Sequence, residues 1–317
     1  MLSYVLKRMG LMVPTVIGVV TVVFMMIRLL PGDPVLFMLG DSGNITQESL
    51  QEMRERLGLA APLPVQYVQY LADVVRLDLG ESILTGASVT ELLWDAIPIT
   101  MLVAVASVIF AVVVAIPLGA LAAYWSQQGK GALDQGVTWF ALFTDALPGF
   151  WIALVLMLFF SLYLGWFPVS GSINWDEPLT LVRRLALPVV VLGLAQLASV
   201  ARVTRTAVLE ALNEDYVRTS RMLGAPELEV LFKHALRNAL LPVVTVLGLS
   251  FGRLLGGTII TENVFSIPGM GTSLIQGIGG RDYTVAQGVI LVYAMLFILV
   301  NLITDVLYTK VDPRVRI

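Results

Sequence analysis

Six apolar runs, at roughly 9–30, 97–124, 137–165, 185–206, 240–260 and 285–309, constrain this chain more than any other feature. Each is long enough for an α-helix to cross a hydrocarbon core, which takes about 20 residues. In lipid every backbone N–H and C=O must find its partner inside the chain, so such runs become helices. The composition agrees: 57% of the 317 residues are hydrophobic and 14% are charged, whereas soluble globular chains carry about 25% charge. The sequence therefore predicts an all-α integral membrane protein with six transmembrane helices.

The first run follows Lys7 and Arg8, as a signal peptide would. It is too long for one, and "RLLPGDP" follows it where a small-residue cleavage site would stand, so residues 1–30 read as an uncleaved anchor. Basic residues gather at the N-terminus, at Lys130, over 202–237 and over 310–316. The positive-inside rule then places these segments, and both termini, in the cytoplasm.

Residues 31–95 become an external segment, and 96–317 the transmembrane core. Within the external segment, "TQESLQEMRERLG" (46–58) carries acids early and Arg late, and ends at Gly58, as helices do. A second helix begins at Pro64, with Tyr67, Val68, Leu71 and Val75 on one face and Gly80 ending the run. Both helices suit a structural cap on the bundle, with direct substrate contact as the alternative.

"DYVRTSRMLGAPELEVLFKHALRNA" (215–239) is unusually charged for this chain and holds its one histidine, His234. Glu210 to Leu223 reads as one helix, and Gly224-Ala225-Pro226 breaks it: glycine suits a helix C-terminus and proline a first turn. Beyond the break, Leu228, Leu231, Phe232, Ala235 and Leu236 share the i, i+3, i+4, i+7, i+8 spacing of one stripe. The result is a cytoplasmic helix–turn–helix hairpin at about 207–239. Periodicity leaves open whether its stripe packs on the membrane surface or the protein's own spans, or on a soluble partner.

Inside the spans, Gly248, Gly252 and Gly256 repeat every four residues, a spacing that lets two helices approach closely in lipid. Pro117 and Pro148 fall where they can kink or hinge a helix. Asp145, in the third run, costs about 2.5–3.5 kcal/mol at a bilayer centre, so it must be neutralised, paired or turned to a polar cavity. It either lies near the interface or serves backbone groups loosened by Pro148, or it lines a path for a substrate ammonium. Arg253 is its candidate intramembrane partner.

Several chemistries are excluded. A net charge of −3 offers no basic face for nucleic acid, and zero cysteines with one histidine argue against a zinc or haem site. There is no phosphate-binding G-x-x-x-x-G-K-[ST] run, no H-E-x-x-H, and no serine with a histidine base. A six-span chain without chemistry is most simply a path for something to cross.

Longer stretches carry a resemblance: "MLSYVLKRMGLMVPTVIGV", "LPGDPV", "LGLAAPLPVQYVQYL", "LDLGES", "EALNEDYVRTSRMLGA", "GGTIITENVFSIPGMG", "RDYTVAQG" and "NLITDVLYTKVDPRVR". With these the chain resembles the B-type inner-membrane permease subunit of the dipeptide/oligopeptide/nickel class of bacterial ABC importers, over nearly its whole length. The resemblance implies a type I importer permease fold. It also implies a heterodimer with a second homologous permease, two ABC ATPases that carry ATP and Mg, and an external substrate-binding protein. The chain itself would bind no cofactor and catalyse no reaction. Di- or oligopeptides are the implied cargo, with glutathione, nickel chelates or oligosaccharides as alternatives on the same machinery. A secondary transporter or channel is the rival class.

In this family the last large cytoplasmic loop carries a coupling motif that docks on the ATPase. Its glycine matches Gly224, its leading E-A-A falls on Arg218, Thr219 and Ser220, and its I-x-L-P end falls on His234, Ala235, Leu236 and Arg237. Only the glycine and Leu236 are kept. With Ala225, Pro226, Leu228 and Phe232 these residues form the expected coupling site, and Asp145 and Arg253 the expected path residues. Ile267, Met270 and Thr284 stand where the family usually has Trp, Leu and Pro.

Overall fold

The computed structural model describes residues 2–29, 51, 54–55, 60–129, 131–171 and 173–311, all helical apart from turns and one isolated β-bridge. The expected external helix at 46–58 lies almost wholly outside these residues. The described helices are α1 (Leu2–Arg28), α2 (Leu63–Val75), α3 (Val89–Gln127), α4 (Gly131–Ala146), α5 (Gly149–Leu156, extended by a π-helical Met157–Tyr163) and α6 (Pro178–Leu212). They continue with α7 (Asp215–Met222), α8 (Glu227–Val264), α9 (Met270–Gly279) and α10 (Tyr283–Val311).

Among the described residues, α3, α6, α8 and α10 are long and apolar enough to cross a membrane unbroken. The third apolar run is not one helix: α4 and α5 meet at a bend of 100°. Pro148 causes the break, since it stands extended (φ −61°, ψ 132°) as the residue before α5 and donates no backbone hydrogen bond. The first run has a described apolar stretch of Gly10–Met26 within α1, at the short end of what spans a bilayer.

The chain divides into two compact units. One comprises Met1–Thr100 and Pro268–Leu299. In it α2 packs on α1 through Tyr70, Leu71 and Val74, against Val16, Val19, Val20 and Val23. The packed face is thus rotated from the one the apolar spacing suggests: Val68 and Val75 are exposed, while Gln66 is buried and accepts from Arg28 at 2.9 and 2.7 Å. Polar pairing wins because Arg28 can lie 3.6 Å over the Phe24 ring and reach Gln66 at once. The helix also stops earlier than expected, at Val75, with Leu77 in the left-handed region (φ 61°) and Gly80 left to the following turn. That turn leads into the loop 81–88, where Ser82 donates to the buried Asp282 at 2.5 Å. Asp282 in turn accepts from the Val285 amide in the first turn of α10 at 3.2 Å.

The other unit comprises Met101–Ile267 and Val300–Ile317. Its helices approach where side chains are absent. A Cβ on Gly119 would stand 2.5 Å from the Ala201 carbonyl and 2.8 Å from Thr204 Cβ, so α3 and α6 touch backbone to backbone. Gly248 of α8 meets Thr304 of α10, and a Cβ on Gly257, rather than on Gly256, would stand 3.0 Å from Leu192 of α6. A Cβ on Gly256 would meet no other part of the described chain within 4 Å. At the far end of α6 the buried Arg184 donates to the carbonyls of Val169 (2.8 Å), Phe265 (2.6 Å) and Ser266 (3.1 Å), closing the C-terminus of α8.

Candidate functional site: the hairpin between α6 and α8

The chain leaves α6 at Asn213, whose side-chain amide donates to the Leu209 carbonyl at 2.9 Å. Glu214 is extended and α7 starts at Asp215, so the helix expected over Glu210 to Leu223 is two helices. Asp215 and Arg221 stand in the first and last turns of α7, each matched to the helix dipole there. Gly224 then takes φ +82°. Its amide reaches the Arg221 carbonyl at 3.0 Å, and that of Ala225 the Ser220 carbonyl at 3.2 Å, which satisfies the carbonyls that α7 leaves open. A Cβ at Gly224 would meet nothing, so backbone conformation alone demands glycine. Pro226, extended, sets the first turn of α8.

The apolar stripe divides in two. Val230, Leu231 and Ala235 are fully buried, with Val217 of α7, against Ala120 and Ala123 of α3 and Val208 and Leu212 of α6. Leu236 and Ala225 are partly buried at the edge of this cluster. Leu228 and Phe232, four residues apart on the same helix, are 58% and 42% exposed. Met222 and Leu223, at the end of α7, are 80% and 84% exposed. A π-helical turn over Val230–Ala235 separates the ridges: its wider turn brings adjacent Val230 and Leu231 both inward and leaves Phe232 outside. Packing on the protein's own helices therefore accounts for one edge of the stripe, while the other edge stays exposed in this chain.

Polar contacts hold the hairpin's shape. Arg221 reaches Glu227 across the turn (3.2 Å) and Gln127 at the end of α3 (3.2 Å). Lys233 pairs with Glu229 one turn away at 2.7 Å. Of the residues aligned with the coupling motif, Arg218 is exposed beside Asp215 at 3.5 Å, and exposed Thr219 donates to the Asp215 carbonyl at 2.9 Å. Ser220 and His234 are half-buried. Met222 and Leu223 escaped the sequence reading because they precede the glycine, outside the stripe, although two apolar residues ending a charged helix were a signal.

The expected pairing of the path residues rests on a side chain outside the described residues. Arg253 is exposed and donates to Ser250 Oγ at 3.1 Å, while the side chain of Asp145 lies outside the described residues.

The chain matches known proteins along its whole length. Residues 115–317 match the family model described as binding-protein-dependent transport system inner membrane component, and residues 1–106 match its N-terminal companion. The chain is 42% identical to the di/tripeptide transport system permease protein DppB of Pseudomonas aeruginosa (strain UCBPP-PA14), covering 100% of this chain and 99% of that one. It is 39% identical to the dipeptide transport system permease protein DppB of Escherichia coli (strain K12), with the same coverage. In fold it is similar to a chain of the MetNI methionine ABC transporter in an inward-facing conformation (TM-score 0.59, 20% identity, 70% of this chain and 96% of that one). The chain therefore belongs to the family of inner membrane components of binding-protein-dependent transport systems, as a multi-pass permease subunit.

Proposed function

We propose that this chain forms, with a second and different permease, the translocation path of an ATP-driven importer of di- or oligopeptides. Two ABC ATPases, which carry the ATP and Mg, receive the cytoplasmic hairpins, and an external binding protein delivers the cargo. Both termini are cytoplasmic, and Asp145 and Arg253 line the path. The observation that carries this reading is the exposed ridge of Met222, Leu223, Leu228 and Phe232 on a hairpin whose other side is locked to its own spans. Four apolar side chains on one cytoplasmic turn suit a protein groove, and the rigid turn at Gly224 lets a push on them reach α6 and α8. The peptide cargo draws support from the names of relatives that match the chain end to end.

The test is reconstitution of the chain in proteoliposomes with its genomic neighbours, a permease, ATPases and a binding protein. ATP-dependent uptake of labelled dialanine, absent when the ATPases are omitted, is the expected result. Uptake by this chain alone would make it a secondary transporter or channel. A complex that hydrolyses ATP in response to glutathione, a nickel chelate or an oligosaccharide, and to no peptide, would reassign the cargo.

A further inference from the structure

The first half of the broken span is tied to the hairpin-bearing helix by charge. Arg205 of α6 grips both carboxylate oxygens of Asp134, in the first turn of α4, through Nε to Oδ1 and through Nη2 to Oδ2 at 2.6 Å. The two side chains are 28% and 12% exposed, so solvent screens the pair little.

The position of Arg205 gives the pair its meaning. At Ala201 and Thr204, within one turn, α6 meets α3 backbone to backbone through Gly119. Just beyond, Val208 and Leu212 share one core with the hairpin residues Val217, Val230 and Leu231, and with Ala120 and Ala123 of α3. The hairpin and the ends of α3 and α6 beside it therefore form one packed body. α4 is joined to that body near its start by the ion pair, and at its other end it reaches the 100° bend at Pro148. α4 also packs along α6, with Ala141 and Thr144 of its second half buried, so the ion pair sets the register of a helix whose far end meets the bend. Apolar surfaces can slide over one another, whereas a bidentate guanidinium–carboxylate pair fixes direction as well as distance.

We propose that Asp134 and Arg205 are positioning residues, the strut through which the docked hairpin swings α4 about Pro148, so that α4 is the moving wall of the cytoplasmic gate. The proposal rests on the coupling role of the hairpin argued above. It assigns the drive to one ion pair and the motion to one half-span.

The test uses the reconstituted complex and reads peptide transported per ATP hydrolysed. Removing one partner alone strands a buried charge and endangers folding, so both are changed together. Asp134→Leu with Arg205→Met keeps volume and removes the charges, a replacement that buried pairs commonly tolerate without loss of stability. Asp134→Arg with Arg205→Asp restores the pair in reverse. The apolar pair is expected to retain its ATPases and its melting temperature while moving at least about fivefold fewer peptides per ATP, the low end of coupling between sites. The reversed pair should recover most of that loss.

A second readout follows α4 itself. The chain has no cysteine, so spin labels at Gln135→Cys and Trp151→Cys, both exposed positions on either side of the bend, report the distance between α4 and α5. That distance should change with nucleotide in the parent and in the reversed pair, and stay constant in the apolar pair. An apolar pair with the parental peptide-to-ATP ratio and the parental distance change overturns the strut, as does a reversed pair no better than the apolar one. Failure of the coupling role itself would look different: the parental complex would hold its ATPases regardless of Leu228 and Phe232.

Discussion

Replacing Leu228 and Phe232 together by alanine tests the exposed ridge most directly, and its effect can be worked from the structure. Complete burial of a leucine or phenylalanine side chain stabilises by about 1.5–3 kcal/mol. In the free chain Leu228 is 58% exposed and Phe232 42% exposed, so that share remains to be buried on docking. Scaling by these fractions gives about 0.9–1.7 kcal/mol for Leu228 and about 0.6–1.3 kcal/mol for Phe232. Together they contribute about 1.5–3 kcal/mol, or about ten- to hundredfold in the affinity for the ATPase. The two side chains are neighbours, so the double variant measures their joint effect and the single variants need not add to it. The assay is titration of purified permease pairs in nanodiscs with labelled ATPase, alongside thermal melting of the same samples. Melting should move little, because neither side chain belongs to the buried cluster. Affinity within twofold of the parent in the double variant would refute the docking role of this ridge.

Leu231→Ala should do the opposite: Leu231 is fully buried, so the cost falls on the fold, at about 2–5 kcal/mol, and shows as a lower melting temperature before any effect on docking. Gly224→Val should abolish coupled uptake by forcing a branched residue into a left-handed conformation at about 1–2 kcal/mol or more, while Gly224→Asn, which tolerates that region, should retain most of it. Gly248→Val should cost about 1–3 kcal/mol through overpacking against Thr304, read as lower yield and melting of the purified chain. Gly256→Val, facing open space in this chain, should leave the melting of the isolated subunit unchanged.

Much of this architecture was legible because lipid imposes simple rules. Long apolar runs must be helices, and Gly224-Ala225-Pro226 can hardly be anything but a turn. Features that depend on partners far along the chain were not legible. Asp134 and Arg205 are 71 residues apart, and nothing local distinguishes either from a solvated charge. The split of the stripe turns on one π-helical turn, which a 3.6-residue period cannot express. Pro148 was visible as a place to bend, but the size of the bend follows from packing. On α2 the spacing of Val68, Leu71 and Val75 chose a face that the Arg28–Gln66 contact overrides. Of the glycine series, Gly248 meets a helix of its own chain and Gly256 does not, a difference set by helix orientation rather than by spacing.

The unit that contains α1 and α2 also has a consequence for biogenesis. Its closing contacts join residues far apart in the order of synthesis: Ser82 to Asp282 across 200 residues, and Gln287 to the Val23 carbonyl across 264. A ribosome adding about 5–20 residues per second needs on the order of tens of seconds to supply the second partner. Until then α1 and α2 lack the Pro268–Leu299 part of their unit. A chain halted after α8 would never complete that unit, so its first two helices would keep uncovered the surface that α9 and α10 close.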